Sequence, residues 1–195
     1  MEMVWNEILK QIKSISNNIY LSINAPANVS EIHKLEETVG LKLPKAFCEY
    51  LSTCNGQKNT EESTRNRNEE TPLLGFNMFL SIDGIIEIWH MMNDLILDDI
   101  TPLEWVNEDK IKPFTWRKHW IPFAEYEGSQ YLILDCDPWK NGTYGQVFIL
   151  EPGMDFEEIV SYSFEEFSHE ILTRLFTGKY KVTEFGTIEF EDYYI

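Results

Sequence analysis

Apolar residues near the N-terminus recur at steps of three and four. Trp5, Ile8, Ile12, Ile15 and Ile19 fall on one stripe, which predicts an amphipathic helix packed on a core. The stretch from Asn24 to Asn28, which contains Pro26, breaks the period. Asn28 with Glu31 reads as a capping box, in which each side chain takes a backbone N–H left unpaired at a helix start. The helix that follows carries Ile32, Leu35 and Val39 on one face and stops at Gly40, a residue that turns left-handed with no Cβ penalty. Leu41 and Leu43 lead into Pro44, whose fixed φ suits the first turn of a third helix with Phe47, Tyr50, Leu51 and Cys54. Asn55-Gly56 ends it.

Residues 57–72 are polar and charged, with no apolar anchor to offset the entropy of ordering, so a surface loop is expected there. Leu73 to Leu80 reads as a strand, and Ser81 or Asp83 caps a helix that buries Ile82, Ile85, Ile86 and Trp89. An irregular stretch follows, and then the period changes to two. Trp120–Ala124, Gln130–Asp135, Gln146–Glu151 and Glu157–Tyr162 are short strands separated by turn signals at Glu127-Gly128, Asn141-Gly142 and Pro152-Gly153. Gaps this short leave no room for crossover helices, so the strands should run antiparallel. Ser163 and Glu166 make a second capping box, opening a helix with Phe164, Phe167, Ile171, Leu172 and Leu175 that closes at Gly178. The expected fold is α+β: a central, mostly antiparallel sheet of five or six strands, with N-terminal helices and one C-terminal helix packed against it. This domain should span residues 1–178, and residues 179–195 form an aromatic, acidic extension with an extra strand or hairpin around Ile188 and Phe190.

Charge narrows the function. Among 195 residues, 33 Asp and Glu face 16 Lys and Arg, a net charge of −17. Phosphate backbones and anionic lipid surfaces are gripped by clustered Lys and Arg, so neither nucleic acid nor membrane is expected as a partner. The excess is uneven, net −5 over residues 1–97 and net −12 over 98–195. The first residues mix Glu2, Glu7 and Lys10 among apolar positions, unlike a secretory leader, and no run approaches the ~18 apolar residues of a membrane span. Cys48, Cys54 and Cys136 form an odd set with neither a metal spacing nor a disulfide framework. A cytoplasmic protein is expected.

Candidate chemistry is sparse. Asp135 and Asp137 flank Cys136 at a strand end, where period-two geometry would aim both carboxylates one way, as a divalent cation site requires. With no third ligand nearby, turn acids that accept local backbone N–H groups explain the pair better. Gly142 and Gly145 lack the Lys-Ser or Lys-Thr of a phosphate loop. His33, His90, His119 and His169 share no metal spacing, Ser129 and Ser163 lack a nucleophile elbow, and Cys48 sits on a helix face as a buried thiol would. His119 is the one candidate general base. No metal, cofactor or catalytic residue is expected. Trp105, Trp116 and Trp139 fall in loops near Glu104, Glu108, Asp109 and Asp137, where aromatic anchors with an acidic rim suit a basic protein surface.

The segment Leu43-Pro44 through Phe47, Tyr50, Leu51, Asn55 and Gly56 resembles the leucine-proline helix ending in Asn-Gly of the SUKH superfamily, which groups fungal cell-wall glucan synthesis regulators with many bacterial proteins. Trp120 to Ala124, Tyr131 to Asp135, Asp137-Pro138, Gly142, Gly145 to Val147 and Ser163-Phe164 with Phe167 extend the likeness. The resemblance implies an α+β domain and, from the bacterial members, an immunity protein that binds and neutralises a toxin of a polymorphic toxin system, often a nuclease. A basic toxin and an acidic inhibitor would gain association rate from complementary charge. The leading expectation is a non-enzymatic protein-binding domain, a monomer or weak dimer, with a basic toxin as partner. The partner face is expected at Glu125, Glu127, Asp135, Asp137, Trp139 and Tyr144, since loops at strand ends are where scaffolds place binding groups. The rival expectations are a regulatory or scaffold role in cell-wall or envelope physiology, and an enzyme or ligand binder built on Asp135, Asp137 and His119.

Overall fold

Ser16 splits the N-terminal stripe into two helices, α1 (Glu2–Ile15) and α2 (Asn17–Ser22), accepting the Ile19 N–H on its side chain at 3.5 Å. The expected stripe is nevertheless real, because Trp5, Ile8, Ile12 and Ile19 are wholly buried. The computed structural model describes residues 2–58, 72–95, 109–154, 158–184 and 186–190. The Asn28–Glu31 capping box forms at the head of α3 (Val29–Val39), and Gly40 closes that helix in the left-handed region at φ 72°. Pro44 stands just outside α4 (Lys45–Leu51), where its missing N–H leaves nothing unpaired.

Leu73–Leu80 is not one strand. The chain folds back at Gly75 (φ 57°), where the Asn77 N–H bonds the Leu74 carbonyl at 2.9 Å, and only β1 (Met78–Phe79) joins the sheet. After α5 (Ile82–Leu95), opened by Ser81, come β2 (Trp120–Tyr126), β3 (Gln130–Asp135), β4 (Gln146–Leu150) and β5 (Glu158–Ser161). They form a five-stranded sheet in the order β1-β2-β3-β4-β5, antiparallel at every pairing. Its register shifts between Pro122 and Ala124, where proline offers no N–H to a ladder. The last helix, α6 (Phe164–Thr177), is capped by Ser163 and closed by Gly178. The Glu166 carboxylate reaches the Tyr162 N–H at 3.0 Å, one residue before the position a capping box uses. Among the described residues there are six helices, and β6 (Tyr180–Val182) pairs β7 (Ile188–Phe190) as a separate hairpin.

Both faces of the sheet are covered, a departure from simple alternation. The helix-side core gathers Trp5, Phe47, Tyr50, Phe79, Phe123, Phe164 and Phe167, with ring pairs such as Phe47–Phe164 at 5.0 Å and 86°. On the opposite face Trp120, Tyr131, Ile133 and Phe148 pack under Ile111, Trp116 and Met92. Strands covered on both sides read as continuous apolar runs, which explains why β3 and β4 are buried at nearly every position. Ile188 and Phe190 join the helix-side core, so that core continues past Gly178 into the β6–β7 hairpin.

The outer edge of β1 is closed by Gln57. Its N–H donates to the Phe79 carbonyl at 2.7 Å, and its side-chain oxygen accepts the Leu73 and Phe79 N–H groups at 3.0 and 3.1 Å. The expected surface loop at 57–72 therefore begins with a buried residue, and residues 59–71 lie outside the described residues. Asn55 accepts the Ile82 N–H at 2.8 Å, and a Cβ on Gly56 would sit 2.2 Å from the Leu80 carbonyl oxygen. The Asn-Gly pair is thus a structural joint between α4, β1 and α5.

Candidate functional site

The residues expected to form one partner face occupy two ends of the sheet. Glu125 and Glu127 sit at the β2–β3 turn, whereas Asp135, Asp137, Trp139 and Tyr144 belong to the β3–β4 connection at the far end. The six residues of β3 hold the two groups about 17 Å apart.

The far end is organised around Asp135, which is wholly buried and so cannot meet a partner directly. Its two oxygens accept the Asp137 N–H at 2.9 Å and the Gln146 side-chain amide at 2.8 Å. Burial pushes its carboxyl up to about 6, against the lowering effect of those bonds. Asp137 lies between Lys112, at 2.5 Å, and Arg117, at 3.2 Å. Gln146 also donates to the Lys110 carbonyl at 3.0 Å and accepts the Thr143 N–H at 2.9 Å. Gly142 packs so closely that a Cβ there would stand 2.1 Å from the Lys110 oxygen. The Tyr144 hydroxyl donates to the Lys42 carbonyl, and desolvation raises its pKa. Trp139 is half-buried, with the Lys140 ammonium 4.9 Å above its ring.

Among the described residues this end is not acidic. Lys110, Lys112, Arg117, Lys118 and Lys140 surround it, against Asp109, Asp137 and the buried Asp135. Of the acids expected around Trp139, Asp137 is paired with Lys112 and Arg117, and Asp109 with Lys140. Trp116, expected in a loop beside acids, is a core residue whose ring meets Trp120 edge-on at 6.2 Å. Trp105, Glu104 and Glu108 lie outside the described residues.

Chemistry at the far end is that of a braced loop. The His119 carbonyl accepts the Cys136 N–H at 3.0 Å, and burial lowers the pKa of its imidazole. Burial pushes the Cys136 thiol up to about 12, far from a thiolate at neutral pH. Among the described residues no three His, Cys, Asp or Glu side chains come together as a metal site would need.

The β2–β3 turn differs. Glu127 takes φ 47° and Gly128 φ 68°, and the Gly128 N–H donates to Glu125 Oε2 at 2.8 Å. Glu127 is exposed, and neither acid has a cation partner among the described residues. Phe76 and Tyr126 stand beside them, 57% and 36% exposed, with ring centroids 5.3 Å apart. Met91 is 40% exposed. Glu87, one helical turn before it on α5, is also unpaired among the described residues. Phe76 lies within Leu73–Leu80, expected as one strand, and was not among the expected partner residues; the fold-back at Gly75 leaves it exposed.

A meander sheet covered on both faces, with its strand-end polar groups bonded to its own loops and an exposed aromatic-acidic turn, defines a small α+β domain. The model of the SMI1 / KNR4 family (SUKH-1) matches residues 26–170, and the chain belongs to that family. A comparison with curated proteins finds no match. Membership fits a non-enzymatic immunity or regulatory protein, in a family whose members bind partner proteins. No helix among the described residues is long and apolar enough to cross a membrane.

Proposed function

We propose that this protein is a SUKH-type immunity protein that binds a basic toxin domain and blocks its active surface, using the β2–β3 turn. The observation that carries the reading is the exposed Phe76–Tyr126 pair set beside Glu125 and Glu127, two acids with no cation partner among the described residues. Aromatic groups supply contact area at little entropic cost, and the free carboxylates steer a basic surface toward them. Asp137, Trp139 and Tyr144 brace the opposite connection and are left out of the contact.

The reading predicts a toxin gene beside this one, and the test is co-expression of the two. Growth should be rescued and the two proteins should purify together. If the chain neither binds that toxin nor protects the cell, the reading fails.

A further inference from the structure

A cavity of about 370 Å³ lies beside the β2–β3 turn, between α5 and the β1–β2 edge. Gly84, Glu87, Ile88 and Met91 form one wall, at the i, i+3, i+4, i+7 spacing of a single helical face. Met78, Glu125 and Tyr131 face them. The volume is at the low end of the roughly 300–1,000 Å³ of ligand pockets, which is room for one or two side chains.

Its lining has two chemistries. Met78, Ile88, Met91 and Tyr131 contribute apolar groups to the lining, and the acids Glu87, on α5, and Glu125, on β2, stand on opposite sides of it. Glu87 is unpaired among the described residues, and the Gly128 N–H takes only one oxygen of Glu125. Among the described residues the single cation of the lining, Lys58, turns its ammonium to the Leu21 carbonyl at 2.7 Å. We propose that this cavity receives an arginine side chain of the partner protein. An apolar group would leave both carboxylates desolvated without a countercharge. A guanidinium is weakly hydrated, stacks on an aromatic face and carries donors for two acceptors at once, whereas its aliphatic stem suits the methionine walls. The inference rests on the partner-binding reading for the source of the arginine, and not on that partner's being a toxin.

The experiment is methyl NMR on the full chain labelled at methionine, titrated with acetyl-Ala-Arg-Ala-amide and with the same peptide carrying the neutral isostere citrulline. Saturable shifts are expected at the Met78 and Met91 methyls and not at exposed Met154, with the citrulline peptide about tenfold weaker or worse. Glu87→Gln should weaken the arginine peptide by a similar factor, and Gly84→Leu, which fills the cavity from a helix surface, should abolish binding. Absence of shifts at Met78 and Met91, or equal binding of both peptides, overturns the proposal. So does toxin neutralisation that survives both substitutions undiminished. Arginine binding without toxin rescue would instead reject the toxin and uphold the cavity.

Discussion

Gln146 donates its side-chain amide to Asp135 Oδ2 at 2.8 Å, with both residues wholly buried at the paired ends of β3 and β4. A carboxylate in such a place would be too costly without donors, and the chain provides them from the Asp137 backbone and from Gln146. The same glutamine ties the connection to Lys110 and Thr143, so one buried pair sets the shape of the whole strand-end loop.

Burial pushes the Asp135 carboxyl up to about 6 from an ordinary 3.8, the reverse of the usual salt-bridged acid. The folded chain therefore binds this proton more tightly than the unfolded one. Stability from this group is full below pH 3.8 and is lost as pH rises through 6, by on the order of 2–3 kcal/mol. Asp135→Asn removes the titration but leaves one donor unmatched, costing ~1–3 kcal/mol when Asp135 is protonated. Urea unfolding at pH 4.5 and 7.5 should show a larger gap between wild type and variant at the lower pH. A gap that is constant or grows with pH would contradict this.

Glu36 works in the opposite sense. Burial raises its pKa, but Lys42 and the Leu43 N–H outweigh that and hold it below its ordinary 4.5. Its stabilisation is present above that value and is lost as pH falls through the folded value. Glu36→Gln should cost more stability at pH 7 than at pH 3, read by the same unfolding curves.

Local chemistry explains what the sequence made legible. The Asn28–Glu31 box, the helix stops at Gly40 and Gly178, and the bounds of β3 depend on neighbours within four residues. Ser16 looks like any polar helix position until Ile19 turns back to it, and Gly75 hides a fold-back inside an apolar run. The site was harder because its key pairings are distant in sequence. Nothing near Asp137 announces Lys112 or Arg117, and Gln57 reads as loop until it meets Leu73 and Phe79. The cavity wall of Gly84, Glu87, Ile88 and Met91 on α5 had no part in the expectations, which followed the buried stripe of Ile82, Ile85, Ile86 and Trp89.

Gly56→Ala should be far worse than Gly40→Ala. Both glycines have positive φ, but the new Cβ at 56 would collide with the Leu80 carbonyl at 2.2 Å, whereas nothing lies within 4 Å at 40. The expected costs are about 4 kcal/mol or more at 56 and ~1–2 kcal/mol at 40, measured by chemical denaturation.

Gln57→Ala should release the β1 edge. The Leu73 and Phe79 N–H groups would lose their buried acceptor, at ~1–3 kcal/mol each. Hydrogen exchange should quicken at those two amides first, and unchanged protection there would argue against the edge-closing role.

The most direct test is the association rate with the proposed toxin partner, compared for wild type, the double variant Glu125→Lys/Glu127→Lys, and Trp139→Ala. Charge reversal should slow association about tenfold or more at low salt, added salt should narrow that difference, and Trp139→Ala should leave the rate unchanged. A rate indifferent to the two glutamates and to salt, or one lost with Trp139, would contradict the β2–β3 turn as the partner face.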